Sequence, residues 1–417
     1  MAAAPQRIRS DDGRTGGEAT ARRVVGPTQK NDIAAISHKG DAAIAATSRV
    51  LCRNRAALST RDASTVTDSP ETPMSLRPRH RPQRNWGARV REVEIDGLPL
   101  IELENEVLRV GILAGKGADL VEWLWKPRDV DLAWRSPWGI AHPGMVPASD
   151  PDPVASFMDV YHGGWQTVFP HGSVPARPQG TPYGQHGEAH LLPWDAELVE
   201  DTADAVEVKF SLRLRRMPFL LERWVRLEAS APSFTYRERA TNLCGVELTA
   251  NWGQHVTFGP PFLEPGCRIV LPDGVTVGQH GVGADEVRRS RIAGDVAWPT
   301  VTGADGAPLD LSVIPAPGTA SEMVYLEGFG REGWYAVEQP RLKMAAKVRW
   351  DASLFPVCWL WQEFGASTAW PFFGQAYVIG LEPFAARPPL GEVTREAMTF
   401  APGEAKNVWI EASVEAW

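Results

Sequence analysis

Alternation of apolar and polar residues restricts this chain more than any other feature. Val206, Val208, Phe210, Leu212 and Leu214 alternate with Glu207, Lys209, Ser211, Arg213 and Arg215. Leu342, Met344, Ala346, Val348 and Trp350 repeat the pattern. In an extended chain successive side chains point to opposite faces, so a period of two buries one face and wets the other. On a helix the same period would scatter the apolar residues around the axis. Residues 221–227 and 233–237 read as further strands. Turn clusters separate such runs: Ala231-Pro232-Ser233, Pro272-Asp273-Gly274, Ala304-Asp305-Gly306 and Ala316-Pro317-Gly318. No long segment carries a helical period with caps. Many short strands punctuated by Gly and Pro predict an all-β sandwich or barrel. The absence of a fixed-period repeat argues against a propeller.

The pattern starts late. No Phe, Trp or Tyr occurs before Trp86. The preceding stretch is rich in Ala, Arg, Ser, Thr and Asp, and it lacks the apolar area needed to offset the entropy of ordering it. Residues 1–85 therefore read as a disordered extension and residues 86–417 as the folded domain. Met74 is an alternative start. Residues 1–73 hold 11 Lys+Arg and 8 Asp+Glu, and that acidic content argues against a mitochondrial transit peptide. There is no apolar core of a secretory signal and no apolar run long enough for a membrane helix. A net charge of −8 argues against a nucleic-acid partner. The four cysteines, Cys52, Cys244, Cys267 and Cys358, form no C-x-x-C pair. They read as buried thiols of a reducing compartment, and so predict a cytoplasmic protein. Most of the 17 tryptophans are expected in the core, with a few left over to stack on a ligand.

Three segments carry chemistry. Six of the nine histidines fall between His162 and His280. Four lie in a Gly- and Pro-rich stretch read as long loops: Tyr161-His162-Gly163-Gly164-Trp165-Gln166, Phe169-Pro170-His171-Gly172, and Tyr183-Gly184-Gln185-His186-Gly187-Glu188-Ala189-His190. Loops bearing such groups are where binding concentrates. His186 and His190 have a metal-like spacing, but that spacing joins two ligands only on a helix, and Gly184, Gly187 and Pro193 oppose one. No metal and no cofactor is therefore expected. The second segment is Ala250-Asn251-Trp252-Gly253-Gln254-His255-Val256-Thr257-Phe258-Gly259, read as beginning in a strand and ending in a loop rich in glycine and proline. In the third, Trp359-Leu360-Trp361-Gln362-Glu363-Phe364 precedes an apolar strand ending in Leu381-Glu382-Pro383-Phe384. A carboxylate at the end of a buried strand must be paired, hydrogen-bonded or functional.

Taken in order, these segments resemble the galactose mutarotase-like superfamily of aldose 1-epimerases and hexose-6-phosphate epimerases, and most closely bacterial members without an assigned substrate. Gly163-Gly164 with Phe169-Pro170, then His186-Gly187-Glu188 with Trp194, resembles one motif region. Trp252-Gly253-Gln254-His255 resembles the strand of the second histidine, and Leu381-Glu382-Pro383 the strand of the catalytic glutamate. The resemblance covers roughly residues 90–415. It implies a large antiparallel β-sandwich of the supersandwich type. No position matches the substrate arginine of the sugar-phosphate branch or the aspartate of galactose mutarotases, so the sugar stays open.

The resemblance further implies anomer interconversion of an aldose, with Glu382 as base, His255 as acid and His186 bonding the sugar near its ring oxygen. Chemistry and location add Gln166 and Glu363 as hydroxyl partners and Trp361 as a stacking face. The expected partner is a small sugar or sugar derivative. Two other readings stand beside this one. One is a carbohydrate-binding protein without catalysis. The other is a lyase or isomerase of an oxidised sugar, with a metal on His162, His171, His186 or His190.

Overall fold

The computed structural model describes residues 83–145, 154–279, 288–387 and 398–417. The first 82 residues, with Met74 and Cys52, and also His280, lie outside them. The alternating runs become strands: Ala205–Arg213, Phe219–Glu228, Ser233–Asn242 and Met344–Asp351. Helix is confined, among the described residues, to the four-residue turn Ala155–Met158 and a few 3-10 turns.

Two large antiparallel sheets face each other. The smaller has eight strands, in spatial order Arg268–Val270, Glu332–Gln339, Met344–Asp351, Ala405–Ala416, Ser233–Asn242, Phe219–Glu228, Ala205–Arg213 and Asp195–Asp201. The larger has twelve, and its middle runs Asp119–Trp125, Trp165–Val168, Gly253–Phe258, Tyr377–Phe384, Val357–Phe364 and Thr319–Glu327. This is the sandwich that the alternation predicts. Trp165–Val168 departs from the loop reading of its stretch. Four residues are too few to show a period, yet they form a central strand. Gly164 makes that possible: its φ is +80°, and a Cβ there would lie 2.1 Å from the Leu120 carbonyl oxygen.

The core between the sheets is mainly aliphatic and aromatic. Trp123 meets Phe234 edge-on at 5.4 Å, and Trp165 meets Tyr236 at 4.7 Å. Trp123, Trp165, Trp252 and Trp350 are fully buried here, so several of the tryptophans do fill core. One polar network crosses this interior. Arg223 Nε donates to Glu238 Oε1 at 2.6 Å, and both residues belong to the smaller sheet. From the larger sheet or its flank, Thr167 Oγ1, Gln254 Nε2 and Trp252 Nε1 donate to the same carboxylate at 2.7, 2.6 and 3.1 Å. Trp165 Nε1 donates to Gln254 Oε1 at 2.7 Å. Thr167 and Gln254 point inward, so their chain neighbours Gln166 and His255 point to the opposite face of the larger sheet.

Candidate active site

Strand register assembles the site on that opposite face. Leu120 pairs with Trp165, which sets Asp119 beside Gln166. Gln166 pairs with His255. Gly253 pairs with Phe384 and Thr257 with Gly380, which brings His255 level with Glu382. Glu382 pairs with Trp359, and Trp359 with Tyr325. Six side chains from six strands thus stand in one row: Asp119, Gln166, His255, Glu382, Trp359 and Tyr325. Gly380 leaves room for the carboxylate, since a Cβ on it would lie 2.3 Å from Glu382 Oε1.

At the centre of the row, His255 Nε2 lies 3.4 Å from Glu382 Oε1. The Tyr161 hydroxyl lies 3.4 Å from His255 Nδ1. Both members of the pair are buried, Glu382 at 2% and His255 at 6% exposure. Burial penalises a charged form, so it pushes the Glu382 carboxyl well up and brings the His255 imidazole down to about 4. Burial therefore acts on both groups in the same sense, favouring a carboxylic acid beside a neutral imidazole. The pair can hold one mobile proton on either partner without changing its total charge.

The other expected residues fall at different places. His186 is at the pair: its ring stands edge-on to His255 with centroids 5.4 Å apart. Its Nδ1 accepts from the Ser173 backbone N–H at 3.1 Å, which leaves the ring proton on Nε2. Burial, then the neighbouring His255, lowers its pKa well below the usual range. Trp361 is half-buried, with its ring 6.0 Å from His255 and 5.6 Å from Phe372. Gln166 donates through Nε2 to Asp119 Oδ2 at 3.2 Å, and its Oε1 has no partner. Glu363 shares their face, but its carboxylate accepts from Gly365 N–H at 3.0 Å and Ser367 Oγ at 2.5 Å. It caps the turn that follows its own strand.

His186 and His190 do not share a helix face. His186 sits in a turn at φ +63°, and His190 in the 3-10 turn Ala189–Leu191. Among the described residues, no three His, Cys, Asp or Glu side chains converge as metal ligands. Cys267 and Cys358 are buried and Cys244 is half-buried, all as free thiols. No described helix is long and apolar enough to cross a membrane.

Phe157 covers this face. Phe157, from the short helix, packs edge-on against His186 at 4.8 Å and His190 at 4.9 Å, and stacks on Tyr161 at 4.8 Å. Three residues were not picked out from the sequence: Tyr161 as a partner of His255, and the buried pair Lys116 and Asp119. Asp119 had a usable signal. It is a carboxylate that opens an apolar strand, Asp119–Trp125, directly after Gly115-Lys116-Gly117-Ala118.

The fold is that of the galactose mutarotase-like superfamily. A candidate aldose 1-epimerase from Klebsiella pneumoniae superposes with a TM-score of 0.62 at 14% identity, covering 78% of this chain and 83% of its own. A galactose mutarotase-like protein from Clostridium acetobutylicum gives 0.55 at 14% identity, covering 79% and 99%. Another, from Lactobacillus casei, gives 0.51 at 18% identity, covering 76% and 100%. The chain belongs to the family described as Domain of unknown function (DUF4432), whose profile matches residues 95–414. No curated protein matches the sequence.

Proposed function

We propose that this protein binds an aldose or a close derivative and interconverts its anomers by acid–base catalysis at Glu382 and His255. The observation that carries the reading is the meeting of these two side chains, 3.4 Å apart, on a face with Tyr161, His186 and Trp361 around them. With sugar bound, the Glu382 carboxylate takes the proton of the anomeric hydroxyl. The bond between C1 and the ring oxygen breaks as the C1 carbonyl forms, and the ring oxygen takes a proton from the His255 imidazolium. The C1–C2 bond rotates, the ring closes on the other face, and both protons return. Ring opening turns carboxylate and imidazolium into carboxylic acid and imidazole, the state that burial favours. Hydroxyl groups of the sugar then have to stabilise the charged pair from which opening starts.

The test is anomer exchange across common aldoses, followed by polarimetry or exchange NMR. Glu382→Gln and His255→Asn should each lower exchange by about 10²–10⁴-fold, with affinity changed much less. A wild-type protein that binds sugar but exchanges anomers no faster than water does would instead be a binding protein. Variants that only lose melting temperature would make both residues structural.

A further inference from the structure

Beyond the reacting pair, the row ends in a polar cluster that the proposed chemistry does not use. Lys116 Nζ lies 2.9 Å from Asp119 Oδ2, and neither side chain is exposed at all. Gln166 Nε2 donates to the same oxygen, and His162 Nε2 lies 3.4 Å from it without hydrogen-bond geometry. Asp119 Oδ1 and Gln166 Oε1 have no partner. Neither nitrogen of His162 or of His190 makes a hydrogen bond, although the carbonyls of Val160 and His186 lie near the two rings. His190 is fully buried and His162 is 3% exposed. Buried polar groups are normally paired. The Arg223–Glu238 network on the other face of the same strands is paired throughout its carboxylate. Four neighbouring side chains with unmet hydrogen-bonding capacity, beside a proposed sugar site, point to a ligand that completes them.

We infer that Asp119, Gln166, His162 and His190 form a second subsite, which reads hydroxyl groups of the sugar away from its reacting carbon. The inference rests on the anomer-exchange reading for what occupies the neighbouring site. Its chemistry comes from the open positions. Asp119 Oδ1 and Gln166 Oε1 accept, and each imidazole offers one donor and one acceptor. A hydroxyl both donates and accepts, so sugar hydroxyls match the mixed character of the set. A phosphate or carboxylate does not. The charge of Lys116 is taken by Asp119, and the next cations, Arg223 and Arg135, are bound to Glu238 and Asp131. The reach fits as well. Gln166 is one strand from His255 and Asp119 is two, at about 4.8 Å per strand, which is the scale of a hexose ring.

The experiment uses the unaltered protein and a ligand series. Glucose, galactose and mannose, their 3-, 4- and 6-deoxy analogues and their 6-phosphates are compared by saturation-transfer NMR titration and by anomer exchange. For the best aldose, at least one deoxy analogue should bind about 10–100-fold more weakly, because a site built for a hydroxyl is left with unpaired groups when it is missing. His190→Phe keeps ring volume and removes both nitrogens. It should erase most of that discrimination while leaving the pH profile of exchange in place. Exchange without any deoxy discrimination overturns the subsite and keeps the Glu382–His255 reading. Deoxy discrimination without exchange overturns that reading and keeps the subsite. Tighter binding of a 6-phosphate, lost in His190→Phe, overturns the neutral-hydroxyl assignment.

Discussion

At the scale of single residues, burial decides the chemistry. His255 is lowered to about 4, and His162, His186 and His190 are also lowered, in each case mainly by burial. A histidine kept neutral in the folded state takes up its proton more readily when unfolded. Stability is therefore highest above the unfolded value near 6.5 and is lost as pH falls towards the folded one. For His255 alone the span from 6.5 to about 4 corresponds to about 3 kcal/mol. Glu382 acts in the other direction. Its folded pKa is raised by burial, so its contribution is present at low pH and is lost as pH rises above the unfolded value near 4.5. Denaturant titrations at a series of pH values should show a steep loss below pH 6.5. His255→Asn should flatten that acid limb, and Glu382→Gln should flatten the alkaline one. If His255→Asn leaves the acid limb unchanged, the imidazole is not held neutral.

At the scale of elements, the site depends on two adjacent strands, Trp165–Val168 and Gly253–Phe258, staying in register. Their inward side chains, Thr167 and Gln254, bond to Glu238, which Arg223 neutralises on the smaller sheet. The alternation of Phe219–Glu228 places Arg223 on the core face, in a row otherwise filled by Leu221, Val225 and Leu227. Removing one member leaves a buried charge, so Glu238→Ala should cost about 3–5 kcal/mol. The double variant Arg223→Met, Glu238→Leu should cost clearly less, because no charge is then stranded. Chemical denaturation measures both. Equal losses in the single and double variants would mean that the charge pair is not what joins the sheets. Gln166 and His255 sit next to the network residues, so Glu238→Ala should also weaken any sugar binding more than its stability loss explains.

At the scale of the whole molecule, the described residues begin close to where the aromatic residues begin. Arg84 bonds to the carbonyl of Ala88, to the carbonyl of Thr202 and to Asp201, which ties the chain to the smaller sheet before its first strand, Arg89–Ile95. The lack of aromatic residues before Trp86 predicts that a protein lacking residues 1–82 keeps its melting temperature and its β-type circular dichroism. A truncated chain that fails to fold would show that the preceding segment belongs to the core. Removing residues 1–88 instead should lower the melting temperature, because Arg84 goes with them.

The strand class of this protein is written locally. A period of two is visible in nine consecutive residues and needs no knowledge of what lies opposite, so Ala205–Arg213 and Met344–Asp351 were legible. Short motifs singled out His186, His255 and Glu382, which the structure sets side by side. Trp165–Val168 was not, since four residues between glycines and a proline hold no period. Register is a long-range property. Only the pairing of Gln166 with His255, and of strands more than a hundred residues apart, puts His255 against Glu382. Burial is equally long-range. It holds the His255 imidazole neutral and encloses the meeting of Asp119 with Gln166. Desolvation and hydrogen bonding act through space, and along the chain those neighbours are far apart.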